Sequence, residues 1–412
     1  MRVMDSTRGA RRVLTAALAA AVLTAGPWAP PARAQVVVTK AGGAKSAVDW
    51  SGFAAGGDAS ARLFQDTARR DLERSGWFET AAPGQGRYRL SGTAAGGGTL
   101  RVECRVFDAT AGAQVFGKSY AQPEARARAL AHAMADDIVK ALTGRPGFAS
   151  ARLAVVGNGT GKKEIYLCDS DGQNLQQLTR DRSISLYPRF SPDGGQIVYT
   201  SYMKGFPDVF RIDLASGRRD RIAGYPGLNA SACFSPDGRS VALILSKDGN
   251  PELYVKNLSS GGLTRVTDTP RAAESSPSWS PDGGRLVYVS DMAGSPQLYV
   301  VSRSGGAPRR LTSRGSENVA PNWGPTGLIA FSSRAGGTYR ICVSDDAGAD
   351  IKTLPLDYAS WEDPCWAPDG RHLACVRSQG FRAAIYLVDI MGDEPVLLVS
   401  GNGDWYSPYW SR

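Results

Sequence analysis

The sequence predicts a mainly β fold: a six-bladed β-propeller, closed by N- and C-terminal strands in one blade and preceded by a small α+β domain. Three observations predict it. A turn of the form aromatic-Ser-Pro-Asp-Gly recurs at Phe190–Gly194, Phe234–Gly238 and Trp279–Gly283, and in altered form at Trp323–Gly327 and Trp366–Gly370. Its prolines (Pro192, Pro236, Pro281, Pro325 and Pro368) are 44, 45, 44 and 43 residues apart, the period of a four-stranded blade. A sixth partial copy, Ser407-Pro408-Tyr409-Trp410-Ser411, lies at the C-terminal end.

From the N-terminus, Arg2, Arg8, Arg11 and Arg12 precede an apolar run from Val13 to Ala25, and Ala32-Arg33-Ala34 offers a small-residue cleavage site. This pattern predicts a secretory signal peptide over residues 1–34. The apolar run, at about 13 residues, is too short to span a bilayer, and no other segment is long and apolar enough. An exported, soluble chain is expected. Gln35-Val36-Val37-Val38-Thr39-Lys40 is β-prone and is followed by the flexible Ala41-Gly42-Gly43-Ala44. It reads as an extended arm able to pair with a sheet edge, or equally as a disordered terminus.

Residues 35–147 are expected to form the α+β domain. Phe64, Ala68 and Leu72 have helical spacing that stops at Gly76. Tyr88–Gly92, Thr99–Phe107 and Gln114–Tyr120 alternate as strands, and Ala125–Leu142 is an Ala-rich helix ended by Gly144 and Pro146. Gly144–Gly147 links to the ring, expected over residues 148–412.

Within each repeat, Pro presets φ, Asp bonds nearby backbone and Gly takes φ > 0, giving a tight turn. Apolar, β-rich runs such as Ile197–Thr200, Val241–Ile244 and Leu286–Val289 follow, then Asp208–Ile212, Glu252–Val255 or Gln297–Val300, then a short fourth strand such as Arg265–Thr267. Arg152–Val156, Glu164–Leu167 and Gln177–Thr179 supply a blade without its first strand. Tyr409–Ser411 supplies that strand, so the ring closes on six blades and hides its sheet edges.

Charge and reactive residues exclude several functions. Without residues 1–34 the chain has 43 basic and 38 acidic residues, net +5. The basic residues are scattered, which argues against nucleic-acid binding. Cys233 and Cys365 share one repeat slot, and Cys168 and Cys342 another, so these are expected to be small buried residues; Cys365 and Cys375 flank one hairpin and are the pair to check for a disulfide. The two histidines, His132 and His372, lie in different domains and are expected to be structural. No G-x-S-x-G elbow, H-E-x-x-H or paired C-x-x-C occurs, so no catalytic residue, metal or cofactor is expected. Gly157–Lys163 resembles a phosphate loop but joins two strands, and Asp169-Ser170-Asp171-Gly172 resembles the start of a calcium loop without its distal ligands; each is expected to be a turn.

A binding scaffold is therefore expected, with the site on the face where six segments enter the inner strands: Arg182–Tyr187, Gly227–Ala232, Ala273–Ser276, Gly315–Ala320, Tyr358–Asp363 and Gly403–Ser407. Candidate partner-binding residues there are Asn229, Glu274, Glu317, Asn318, Trp361, Glu362, Asp363, Asp404 and Trp405. Trp361 and Trp405 either anchor a partner or fill the channel wall.

Beyond the repeats, Asp71-Leu72-Glu73-Arg74-Ser75-Gly76-Trp77-Phe78 resembles the "DL-x-x-S-G-x-F" helix end of the TolB family. The run Leu142-Thr143-Gly144, Gly147-Phe148 and Ala151–Ala154 resembles its "LTG-x-x-G-x-F-x-x-R-I-A" junction, and the resemblance covers nearly all of residues 35–412. The chain departs from the family in its first strand, here Lys45–Phe53 without the long apolar run ending in Pro-Phe. It also departs at Thr326, where the turn has lost its Asp. The resemblance implies a non-enzymatic, monomeric periplasmic adaptor of the Tol–Pal system, acting in outer-membrane integrity and constriction at division. It further implies that the mouth receives a peptidoglycan-associated lipoprotein, with the loop motif matched at Asn229, Ser231 and Ser275 and Leu228 replacing the usual histidine. The arm Gln35–Lys40 would engage a TolA-like inner-membrane protein. The alternative is an exported propeller of another role: a sugar- or peptide-binding module, or a glycosidase or lyase.

Overall fold

The computed structural model describes residues 45–411; the expected signal peptide and the arm Gln35–Lys40 lie outside the described residues. The first sheet contains β1 (Ser46–Ala55), β2 (Phe78–Ala81), β3 (Tyr88–Ala95), β4 (Thr99–Asp108) and β5 (Ala113–Pro123), in the order β2-β1-β3-β4-β5. The segment with the weakest strand pattern is thus near the middle of the sheet. β1 is parallel to β2 in its first half and to β3 along its length, with a register shift between Asp49 and Gly52. That irregularity breaks the two-residue alternation, although Val48, Trp50 and Phe53 are buried. The buried Asp49 carboxylate holds the link from β2 to β3 by accepting the Gly84 N–H (2.7 Å).

Helices α1 (Ala59–Arg74) and α2 (Ala127–Thr143) cover one face of this sheet, and Phe64, Leu72, Leu90, Leu100, Met134 and Ile138 form its core. α1 begins five residues before Phe64 because Asp58 caps it, its Oδ1 accepting the Ala61 N–H (2.8 Å). Gly76 follows α1 at φ +72°, and a Cβ there would meet the Arg371 guanidinium at 2.4 Å. Only glycine satisfies both demands.

The ring has six four-stranded sheets. The first contains β6 (Arg152–Gly157), β7 (Glu164–Asp169) and β8 (Gln176–Gln177), and the second β9 (Ser185–Phe190), β10 (Gln196–Ser201), β11 (Asp208–Asp213) and β12 (Arg219–Ala223). The third contains β13 (Asn229–Phe234), β14 (Ser240–Leu245), β15 (Glu252–Asn257) and β16 (Leu263–Arg265). β17 (Glu274–Trp279), β18 (Arg285–Ser290), β19 (Gln297–Ser302) and β20 (Arg309–Arg310) make the fourth. The fifth is β21 (Glu317–Trp323), β22 (Ile329–Ala335), β23 (Thr338–Ser344) and β24 (Ile351–Thr353). The sixth is β25 (Ser360–Trp366), β26 (His372–Gln379), β27 (Arg382–Asp389) and β28 (Val396–Val399). The last strand, β29 (Trp405–Trp410), pairs antiparallel with β6 and completes the first blade. Arg152 and Ser411 seal that seam, the Arg152 N–H donating to Ser411 Oγ and the Ser411 N–H to the Arg152 carbonyl, both at 2.8 Å.

The repeated turns work as their composition predicts. In three of them the Ser hydroxyl donates to the Asp carboxylate at 2.5 Å (Ser191–Asp193, Ser235–Asp237 and Ser280–Asp282). At Pro368 the serine is Ala367, and Asp369 instead accepts from the Arg371 and His372 N–H groups (3.0 Å each) and sits 2.5 Å from His372 Nδ1. All six cysteines are buried thiols. Cys365 pairs across its hairpin with Ala374, so the next residue, Cys375, points from the opposite sheet face into a different core cluster. Gly157–Lys163 is the hairpin loop between β6 and β7, and Asp169–Gly172 is a turn closed by the Gly172 N–H on the Asp169 carbonyl (3.0 Å).

The first domain rests on the turn face of the ring. Asp136 of α2 accepts the Ala149 and Ser150 N–H groups (2.8 Å each), fixing the linker. Arg371 donates to the Gly76 carbonyl (3.1 Å), lies 4.5 Å over the Trp77 ring and is paired with Asp389. Lys45 pairs with Asp393 at 2.7 Å.

Candidate functional site

The opposite face of the ring is where the inner strands β9, β13, β17, β21, β25 and β29 begin. Each has a register shift near its start and one residue in the left-handed region: Tyr187, Ser231, Ser276, Ala320, Asp363 and Ser407, with φ between 47° and 53°. A non-glycine residue there is strained, at about 1–3 kcal/mol each, and persists only where packing imposes it. In five blades the next residue is proline (Pro188, Pro277, Pro321, Pro364 and Pro408), which has no N–H to lose from the ladder. In two blades the neighbouring blade satisfies the bulge: the Ser231 N–H donates to Thr200 Oγ1 and the Asp363 N–H to Ser332 Oγ, both at 3.1 Å. The bulges turn these residues toward the channel, where Tyr187, Ser276, Ala320, Asp363 and Ser407 line a common constriction with Arg189 and Asn322.

Two residues before each bulge, the side chain is buried and in most blades is tied to the incoming loop. Asn229 is fully buried; its Oδ1 accepts the Tyr225 N–H and its Nδ2 donates to the Tyr225 carbonyl, both at 2.8 Å. Asn318 donates to the Arg314 carbonyl (2.7 Å) and to Gln297 Oε1 (2.8 Å). The Trp361 indole donates to Asp357 Oδ1 and that of Trp405 to the Gly401 carbonyl, both at 2.7 Å. Trp361 and Trp405 are 1% and 3% exposed and fill blade cores against Tyr386 and Tyr166. Glu274 accepts from the Ser290 and Thr269 hydroxyls at 3.0 Å each. Burial pushes its carboxyl up to about 7 despite those hydrogen bonds.

The remaining candidates are partly exposed. Ser231 and Asp363 occupy bulges, and Ser275 and Glu362 precede them. Burial raises the Asp363 and Glu362 carboxyls; Arg189 partly offsets this at Asp363, and the Ser360 hydroxyl does so at Glu362. The Tyr339 hydroxyl (2.5 Å) and Arg334 (3.0 Å) hold Glu317 below the usual carboxylate range. Asp404 is lowered first by the Ala383 N–H (3.1 Å) and is bonded to Asn158 as well. Ser231, Ser275, Glu317, Glu362, Asp363 and Asp404 therefore keep exposed surface on this face. Asn229, Glu274, Asn318, Trp361 and Trp405 are buried wall residues.

Tyr187, Ser276, Ala320 and Ser407 fall inside the mouth segments expected from the sequence but were not singled out there, although the proline that follows each of them marks the slot. Tyr358, at the start of another such segment, is 92% exposed, and Phe206 and Phe381, outside all of them, are 75% and 101% exposed. Phe206 and Phe381 tip the hairpins β10–β11 and β26–β27, and Tyr358 lies in the loop entering β25, all at the mouth end of the blades. Large aromatics left in water on one face are characteristic of contact surfaces.

Comparison with known proteins places this geometry. Residues 139–412 match the family model described as the TolB beta propeller domain. The Tol-Pal system protein TolB of Gluconobacter oxydans is 33% identical over 340 residues, covering 79% of this chain and 74% of its own length. A Protein TolB homolog of Chlorobium chlorochromatii is 38% identical over 136 residues, and that match spans only 31% of its length. The crystal structure of TolB from Acinetobacter baumannii superposes with a TM-score of 0.79 at 25% identity, covering 91% of this chain and 98% of that one.

Proposed function

The chain belongs to the TolB β-propeller family, and on that footing we propose that it is a non-enzymatic periplasmic adaptor of a Tol–Pal system. The observation that carries this reading is that the likeness to a TolB structure extends over 91% of the chain, so the first domain and the ring are shared together. A signal peptide over residues 1–34 delivers the chain to the periplasm. Among the described residues, no helix is long and apolar enough to cross a membrane.

In this reading the ring mouth receives a peptidoglycan-associated lipoprotein. Ser231, Ser275, Glu317, Glu362, Asp363 and Asp404 supply polar contacts around the constriction, and Tyr358, Phe381 and Phe206 supply aromatic anchors on its rim. The arm Gln35–Lys40 engages a TolA-like inner-membrane protein by adding a strand to its sheet. Bridging the two partners supports outer-membrane integrity and constriction at division.

Calorimetric titration with the lipoprotein's soluble domain tests this directly. The reading expects saturable binding that weakens when Tyr358 and Phe381 are both changed to Ala, with circular dichroism unaltered. No binding by the folded chain would remove the adaptor role, and a sugar- or peptide-binding propeller would take its place.

A further inference from the structure

The mouth of the ring is not symmetric. Blade one lies between the sixth blade and the second. On this arc the hairpin tips carry Lys162 (blade one), Lys204 and Phe206 (blade two), and Phe381 with Arg382 beside it (blade six). The loop from β8 into β9 adds Arg180 and Arg182. Scattered along the sequence, these five basic residues are all exposed and stand on one side of the mouth.

Their charge is left open. None of the five forms an ion pair among the described residues, and only Asp404 acts on Arg382, at longer range. The acids nearby already have donors: Asp181 pairs with Arg219 (2.5 Å), and Asp404 accepts the Ala383 N–H (3.1 Å) and bonds Asn158 (3.2 Å). On blades three and five, by contrast, Lys247 pairs with Asp248 (2.6 Å), Arg265 with Glu252 (3.1 Å) and Arg334 with Glu317 (3.0 Å). The exposed cations on that side, Arg271 and Arg314, stand on separate loops without an exposed aromatic tip.

We propose that the arc of blades six, one and two is a docking surface for a membrane leaflet containing anionic phospholipid. Phe206 and Phe381 enter the interfacial layer, and the basic residues around them meet headgroup phosphates. The patch is convex, because both rings project from hairpin tips, each after a glycine (Gly205 and Gly380). Anchors for a protein partner fill pockets, whereas a bilayer interface accepts a lone projecting ring and favours cations beside it. The inference goes beyond the lipoprotein reading, since it needs no protein in the constriction. Tyr358 and the polar bulge residues stay available to that partner.

Co-sedimentation of residues 35–412 with lipid vesicles tests the surface. Phosphatidylcholine vesicles containing about one-third phosphatidylglycerol should bind at least about tenfold more tightly than pure phosphatidylcholine. Raising salt from about 50 to about 300 mM should weaken that binding severalfold. Lys162→Glu with Lys204→Glu, and separately Phe206→Ala with Phe381→Ala, should each lower affinity about tenfold or more with circular dichroism unchanged. The charge-reversed protein should keep its calorimetric affinity for the lipoprotein's soluble domain, so the two readings fail separately. Equal binding to neutral and anionic vesicles, or binding untouched by both pairs of substitutions, overturns the proposal. Binding of polyglutamate but not of vesicles also overturns it, and gives the arc to an acidic protein.

Discussion

Two slots at the mouth end of every inner strand hold similar polar and aromatic residues and do different work. The earlier slot, occupied by Asn229, Glu274, Asn318, Trp361 and Trp405, points into the wall, and most of these side chains tie down the loop that brings the chain inward. The later slot, at Ser231, Asp363 and their equivalents, is twisted by a bulge into the channel. The difference teaches that an acid or a tryptophan at a propeller mouth is not evidence of contact until its place in the pleat is known. Wall residues should govern stability, and bulge residues should govern binding.

Four experiments press on that division. Trp361→Ala empties a fully buried site and should cost about 3–5 kcal/mol in denaturant unfolding; a loss of lipoprotein binding with full stability would reverse the assignment of the slot. Glu274 should make stability depend on pH. Its folded carboxyl titrates at about 7, above its ordinary value of 4.5, so the folded state favours the protonated form. The stabilisation is complete below the unfolded value and is lost as pH rises through about 7, a change of about 1–3 kcal/mol that Glu274→Gln should abolish.

Asn229→Ala should leave the Tyr225 N–H and carbonyl unpaired at a cost of about 1–3 kcal/mol, again read by unfolding. In the other slot, Asp363→Ala should leave stability within about 0.5 kcal/mol, because burial already disfavours its charge. The same change should weaken partner binding about tenfold by calorimetry. A destabilised Asp363→Ala with unchanged affinity would merge the two slots into one structural ring.

Much of the fold was legible because its signals are local and repeated. Pro192 and its equivalents mark a turn in five of the six blades, and the C-terminal segment read at Tyr409–Ser411 supplies the strand missing before Arg152, which runs over Trp405–Trp410. The first domain was less legible. β1 hides its pattern behind the bulge at Asp49–Gly52, β2 has only four residues, and the true start of α1 depends on a cap, Asp58, rather than on apolar spacing. At the mouth, composition located the face but not the direction of each side chain. Trp361 in the wall and Asp363 at the channel are two residues apart, a spacing that would put both on one face of a regular strand, and only the bulge separates them. The basic side of the rim was harder still, since Lys162, Lys204 and Arg382 are distant in sequence and come together only when the ring closes.

The seam between β29 and β6 also sets an order of events. Its partners Arg152 and Ser411 are 259 positions apart, so the apolar edge of β6, with Leu153 and Val155, has no mate until residues 405–410 have been delivered. Long-range pairing of this kind is slow and leaves sticky intermediates. A chain interrupted anywhere before Trp405 carries an open blade with an unpaired strand edge. Proteases and chaperones can recognise such an edge, so annular closure doubles as an inspection step that only finished copies pass.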